Sequence, residues 1–167
     1  MVFGLANLIT ILRLLIVLFI GTFYILLENY LISLMALIVL AGDGLDGKIA
    51  RSRKETSELG EYLDKETDAF FLHIMIMSAV FKDILWEGTV IIGMLRYLFV
   101  LTIFILGDLS KKERRSRSGR YIYVFAVVSL ILSFLPLPGI YIPAIFLATG
   151  LLLYSFGRDF IWLFSTR

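Results

Sequence analysis

Apolar and polar positions along the chain fall into blocks, and the blocks predict helices of membrane-crossing length. Leu8 to Leu27 is a nearly unbroken apolar run, interrupted by Arg13. Leu31 to Ala41 is apolar but too short alone, so its helix is expected to continue through the polar Gly42 to Arg51 stretch. A third run, Asp64 to Phe81, opens on charged residues, and a fourth, Thr89 to Leu106, contains Arg96. Tyr121 to Leu135 and Tyr141 to Phe156 supply the last two. At about 1.5 Å of rise per residue, each run crosses a hydrocarbon layer of roughly 30 Å only with some flanking polar turns included. Six helices are predicted, the second and third meeting in a charged region. Short links follow at Glu28 to Tyr30, Lys82 to Gly88 and Pro136 to Ile140, and Leu135-Pro-Leu-Pro-Gly139 reads as a turn. The expected fold is all-α: one polytopic membrane domain over residues 1–167, with six transmembrane helices and a cytosol-facing polar cleft.

Composition agrees with a bilayer protein. Hydrophobic residues make up 59% of the chain and Asp, Glu, Lys and Arg only 18%, with a mean hydropathy of +0.90; a soluble domain needs a more charged surface. The absence of Cys excludes a disulfide-stapled secreted module. Fourteen Phe and eight Tyr suit lipid-facing and interfacial positions, as do Trp86 and Trp162. No signal peptide is expected, because the first apolar run lacks a basic flank and a small-residue cleavage site. The charges are unevenly placed. With six crossings, the three short links share one side, where Lys82 is the clear basic residue. The other side receives Lys48, Arg51, Arg53, Lys54, the loop basics Lys111, Lys112, Arg114, Arg115, Arg117 and Arg120, and Arg158 and Arg167 in the tail. The positive-inside rule then places both termini and both basic loops in the cytoplasm, in a cell inner (cytoplasmic) membrane. The basic runs adjoin apolar segments and carry no nucleic-acid motif, so no nucleic-acid partner is expected.

Candidate chemistry lies in the acidic segment. Ionisable groups this close to membrane helices default to a functional reading. Asp43 and Asp46 are three residues apart and share a helix face, as do Asp64 and Asp68, four apart. The two pairs lie at the same end of consecutive antiparallel helices and can converge. Four ionised carboxylates in a small volume repel, and a divalent cation cluster relieves the repulsion; all-oxygen ligation suits Mg²⁺ or Mn²⁺. No Cys and a single His argue against zinc. Gly42, Gly44, Gly47, Ala50 and Gly60 allow a phosphate-bearing ligand to approach the backbone and helices to pack closely. The plainer alternative is that these aspartates end one helix and cap the next.

The spacing Asp-x₂-Asp-Gly-x₂-Ala-Arg-x₈-Gly-x₃-Asp-x₃-Asp, complete from Asp43 to Asp68, resembles the signature of the CDP-alcohol phosphatidyltransferase family. Asn7-Leu-Ile-Thr10-Ile-Leu-Arg13 is similar to an element found before or within the first helix of such enzymes; Ala6 stands where they commonly have Pro, and Lys65 where many have Pro. The resemblance implies transfer of a phosphatidyl group from CDP-diacylglycerol or a similar CDP-linked lipid to an alcohol, with release of CMP. It implies two Mg²⁺ or Mn²⁺ ions, metal ligation by Asp43, Asp46 and Asp64, and Asp68 as a general base that also approaches the metal. Gly47, Ala50, Arg51 and Gly60 would form the CDP pocket, with Asn7 and Thr10 orienting the signature helices or the nucleotide. A homodimer surrounded by membrane lipids is also expected from the resemblance.

The acceptor is expected to be a small polar alcohol. Arg96, deep in an apolar run, is expected to hold an acceptor phosphate or to pair with one of the motif acids. Arg120 is a second candidate for that phosphate. The positive potential favours glycerol 3-phosphate or inositol phosphate over a neutral or zwitterionic acceptor such as serine. Glu61 is expected beside Asp64, Glu66 in solvent, and His73 and Gly93 in helix packing. Two further readings, a divalent-cation transporter and a silent membrane scaffold, fit less well: the aspartates cluster at one end of the helices, and no signature residue is missing.

Overall fold

The computed structural model describes residues 5–53, 58–106 and 117–165, with side chains over 7–45, 60–105 and 118–161. Among the described residues there are six α-helices and no strand: α1 (Leu5–Phe23), α2 (Asn29–Arg53), α3 (Glu58–Phe81), α4 (Val90–Leu106), α5 (Arg117–Ser133) and α6 (Pro138–Ser165). A turn of 3₁₀ helix at Glu87–Thr89 leads into α4. As expected, α2 runs without a break from its apolar half through the glycine- and aspartate-rich stretch.

Two boundaries differ from the hydropathy pattern. α1 stops at Phe23 although apolar residues continue to Leu27. The backbone N–H groups of Leu26 and Leu27 both turn back to the Phe23 carbonyl, at 2.9 and 3.1 Å. The Thr22 hydroxyl donates to the Leu18 carbonyl at 2.8 Å, a local bond that competes with the helix ladder, and Lys82 Nζ donates to the Leu27 carbonyl at 2.9 Å. Hydropathy does not mark this turn because its residues, including the exposed Ile25 and Leu26, are themselves apolar. At the other link, Pro138 and Gly139 open α6 rather than closing the turn. Proline suits a first helical position, where its missing N–H is not needed and its φ is already helical.

α3 is the centre of the bundle, packing on α1, α4 and α5, while α1 also packs on α2, α2 on α5, and α6 on both α4 and α5. Val17 and Ile20 of α1, Ile32, Ala36 and Val39 of α2, Phe71 and Met75 of α3 and Val127 of α5 are completely buried together. Small residues bring the axes close. A Cβ at Gly21 would stand 3.0 Å from Ile74 Cδ1, and one at Gly93 would stand 2.8 Å from His73 Nδ1 and 3.3 Å from its Cα. Gly93 and the packed His73 thus serve the α3–α4 seam, as expected. Ser33 Oγ donates to the Ile131 carbonyl at 3.0 Å and ties α2 to α5.

The outward surface is apolar. Leu8, Leu12, Leu15 and Phe19 are exposed along α1, Leu34, Leu37 and Ile38 along α2, and Phe146, Leu153 and Ile161 along α6. Contiguous exposed apolar surface on this scale marks contact with lipid or protein rather than water. Two segments are long and apolar enough to cross a membrane, Glu87–Ile105 and Pro138–Ile161; the apolar parts of α1, α2 and α5 are shorter. The six expected crossings therefore correspond to six helices, of which two satisfy the length and composition of a span by themselves.

Candidate metal and phosphoryl-transfer site

The site grows out of the same stripes that make the core. On α1 the buried face reads Thr10, Arg13, Val17, Ile20; on α2 it reads Ile32, Ala36, Val39, Asp43. On α3, Phe71 and Met75 continue the face begun by Asp64 and Asp68. Steps of three and four residues keep each set on one side of its helix. Because the hydrophobic stripes pack together, the charged ends of all three stripes are delivered to one point.

There, oxygens of Asp43, Asp64 and Asp68 lie within 4.8 Å of one another. The residue among them is Arg13, which is only 2% exposed. Its Nη1 donates to Asp64 Oδ1 at 3.0 Å and its Nη2 to Asp68 Oδ1 at 2.5 Å. Asp43 Oδ1 is 3.7 Å from Nη1, and Nε donates to the Val39 carbonyl at 3.2 Å. The arginine stem passes where Gly42 has no side chain: a Cβ there would stand 2.9 Å from Arg13 Cδ. α5 closes the rim. Arg120 Nη2 lies 3.8 Å from Asp43 Oδ2 and remains largely exposed, and the Tyr123 hydroxyl donates to the Asp68 backbone carbonyl at 3.3 Å.

Three carboxylates thus face one buried guanidinium, with a second cation at the edge, leaving the cluster formally anionic. The donors are all hard oxygens, drawn from two helices at separations a small cation can span. That set fits a divalent ion of the Mg²⁺ or Mn²⁺ kind and is unsuited to softer metals.

The other sequence candidates divide. Thr10 is buried one turn before Arg13, and Asn7, half-buried, lies one turn earlier still. Gly60 lies one turn before Asp64 on α3. Asp46, Gly47, Ala50 and Arg51 continue α2 beyond Asp43, but their side-chain positions lie outside the described residues. So does the basic loop of Lys111, Lys112, Arg114 and Arg115. Among the described residues, Arg96 pairs with an acid outside the Asp43, Asp64 and Asp68 cluster. Its Nη2 donates to Glu66 Oε1 at 2.6 Å, and Glu66, two residues from both Asp64 and Asp68, is turned about 200° away from them around α3. Arg96, expected to pair with a motif acid if not with acceptor phosphate, thus pairs with Glu66, an acid outside the signature that lies on the side of α3 facing α4. The same bond corrects the expectation that Glu66 is solvated. Glu61, expected beside Asp64, forms a partly exposed ion pair with Lys65 at 3.3 Å.

Tyr123 does not stand out along the chain as a site residue, and Arg13, although part of the Asn7–Arg13 element, carries no assigned role there. For Arg13 a signal exists: a charge inside an apolar run must find a partner. Asn7, Thr10 and Arg13 share one face of α1, but which neighbouring helix that face meets is not legible from the run itself. Tyr123 carries no comparable signal among the aromatic residues of α5.

Comparison with known protein families matches residues 3–156 to the CDP-alcohol phosphatidyltransferase model, a stretch reaching from the start of α1 well into α6. Among curated proteins, none matches the chain. The matched segment contains the whole aspartate cluster together with the helices that assemble it. This chain belongs to the CDP-alcohol phosphatidyltransferase family, membrane-integral enzymes of phospholipid synthesis that generally use a divalent metal.

Proposed function

We propose that the chain transfers a phosphatidyl group from CDP-diacylglycerol, or a similar CDP-linked lipid, to the hydroxyl of a small phosphorylated alcohol and releases CMP. The observation that carries this reading is the convergence of Asp43, Asp64 and Asp68 within 4.8 Å in a chain of this family. Asp43, Asp46 and Asp64 would hold the metal, with Asp68 available as a further ligand. Two Mg²⁺ or Mn²⁺ ions, when bound there, would supply neutralisation of charge on the diphosphate and on the departing CMP. Asp68 takes the proton of the acceptor hydroxyl as its oxygen attacks the lipid-side phosphorus, and the phosphorus–oxygen bond to CMP breaks on the opposite side. Gly47, Ala50, Arg51 and Gly60 form the cytidine-diphosphate pocket, and Asn7 and Thr10 position the first helix beside it.

Arg120 recognises the acceptor phosphate. It stands at the rim of the cluster, 3.8 Å from Asp43, with more than half of its side chain exposed, so an incoming anion can reach it. This supports glycerol 3-phosphate or inositol phosphate as acceptor. Arg96, held by Glu66, serves the acceptor only if it leaves that pair. The chain works as a single domain with six crossings, both termini and the cleft on the cytoplasmic side of the inner membrane, and as a homodimer.

The test is CMP release by purified protein supplied with CDP-diacylglycerol and, separately, glycerol 3-phosphate, inositol phosphate, serine, inositol or glycerol. The expected result is release with a phosphorylated acceptor, abolished by EDTA, restored by Mg²⁺ or Mn²⁺, and absent in Asp43→Asn. Release with serine alone would replace the acceptor class. No release with any acceptor, together with no metal-dependent binding of CDP-diacylglycerol, would overturn the reading.

A further inference from the structure

We propose that Arg13 is a positioning residue that also acts as the built-in counter-cation of the aspartate centre, bridging Asp64 and Asp68 and competing with a divalent cation for these carboxylates. The proposal rests on the reading of these aspartates as a metal site.

Three features carry it. The first is position. The guanidinium stands among the carboxylates a metal ion would use, with Nη1 at 3.0 Å from Asp64 and Nη2 at 2.5 Å from Asp68, and Asp43 at 3.7 Å. A small divalent cation binds carboxylate oxygens at about 2.0–2.2 Å. Both N–H bonds draw on carboxylates such an ion would use, and the guanidinium charge stands beside the ion's place, so the two cations compete electrostatically for the same acidic groups.

The second feature is electrostatic need. Asp43 is buried, Asp64 and Asp68 are partly buried, and all three are close enough to repel one another. A charge taken out of water without a partner is strongly destabilising. Without metal, Arg13 is the buried group that offsets this repulsion and links α1 to α3.

The third feature is an anchor independent of the aspartates. Arg13 Nε is bonded to the Val39 carbonyl at 3.2 Å, and its stem lies in the space left by Gly42. The arm is therefore fixed to α2 through one nitrogen while the two outer nitrogens face the carboxylates. The outer bonds can be given up without freeing the whole side chain. Arg13 in this role tunes affinity: it keeps the centre assembled without metal and weakens the hold on the ion.

The experiment uses the full chain in detergent micelles, with Mn²⁺ binding read from the electron paramagnetic resonance of free Mn²⁺ and thermal unfolding read in EDTA and in saturating Mn²⁺. Arg13→Gln is expected to bind Mn²⁺ at least about tenfold more tightly; one unit charge at about 4 Å from a divalent ion amounts to a factor of roughly thirty even at the dielectric of water. The same variant is expected to unfold at a lower temperature than wild type in EDTA, with the gap narrowing in Mn²⁺, because tighter binding to the native state adds stability. Gly42→Ala keeps the charge and pushes on the Arg13 stem, and is expected to shift Mn²⁺ affinity in the same direction by a smaller factor. It decides the matter if Arg13→Gln does not fold. Unchanged or weaker Mn²⁺ binding, with equal loss of melting temperature in both conditions, would show a purely structural ion pair and overturn the proposal. Absence of Mn²⁺ binding in both wild type and Asp43→Asn would instead overturn the metal reading and this proposal with it.

Discussion

Replacing Asp68 by Asn separates what this residue does for the fold from what it does for the reaction. In the structure its carboxylate receives Arg13 Nη2 at 2.5 Å, and its backbone carbonyl receives the Tyr123 hydroxyl at 3.3 Å. The substitution keeps the shape, an acceptor oxygen and the backbone contact. Arg13 retains Asp64 at 3.0 Å and the Val39 carbonyl at 3.2 Å. The structural loss is the difference between a charge-assisted and a neutral hydrogen bond, about 1–1.5 kcal/mol, which a six-helix bundle tolerates. Loss of a general base is larger, roughly 10²–10⁴-fold in turnover, or about 2.7–5.5 kcal/mol of barrier. The variant should therefore remain folded, bind CDP-diacylglycerol nearly as wild type does, and release CMP at a small fraction of the wild-type rate. The assay pairs CMP release at saturating acceptor with equilibrium binding of labelled donor. Turnover within about tenfold of wild type would remove Asp68 as the base. Parallel loss of donor binding and turnover, matching Asp64→Asn, would make it a metal ligand first.

Other consequences are equally direct. Arg120→Gln should raise KM for a phosphorylated acceptor by about tenfold with kcat little changed, since a charge-assisted contact to phosphate is lost; an unaltered KM in initial-rate measurements would place acceptor recognition elsewhere. Glu66→Gln removes the charge opposite the mostly buried Arg96, 2.6 Å away, and should cost about 1–3 kcal/mol of stability. The Glu66→Gln/Arg96→Gln double variant should recover part of that in thermal melts; a single variant as stable as wild type would show the pair to be dispensable. Gly93→Ala would put a methyl group 2.8 Å from His73 Nδ1 and 3.3 Å from its Cα, forcing α4 from α3 at a cost of about 1–3 kcal/mol. Gly44→Ala meets nothing within 4 Å and serves as the control; equal melting temperatures for the two variants would contradict the close seam.

Much of this protein is legible along the chain. Six apolar runs correspond to six helices, and the aspartate spacing identifies both a face of α2 and a face of α3, because helical periodicity is a local property that residue type alone reveals. The signature also leads to the family that the match over residues 3–156 establishes. Less is legible where nearly every residue is apolar. The end of α1 at Phe23 depends on backbone bonds within a stretch whose hydropathy does not change. The partner of Arg96 depends on which side of α3 faces α4, and Glu66 is there rather than a signature aspartate. Arg13 is visible as a charge in a run of leucines and isoleucines, yet its placement among three carboxylates requires α1 to lie against both α2 and α3 at a particular rotation. The local pattern determined which residues share a helix face; only packing decided which faces meet, because close contact depends on the side-chain volumes of several helices at once and not on any one stretch of sequence.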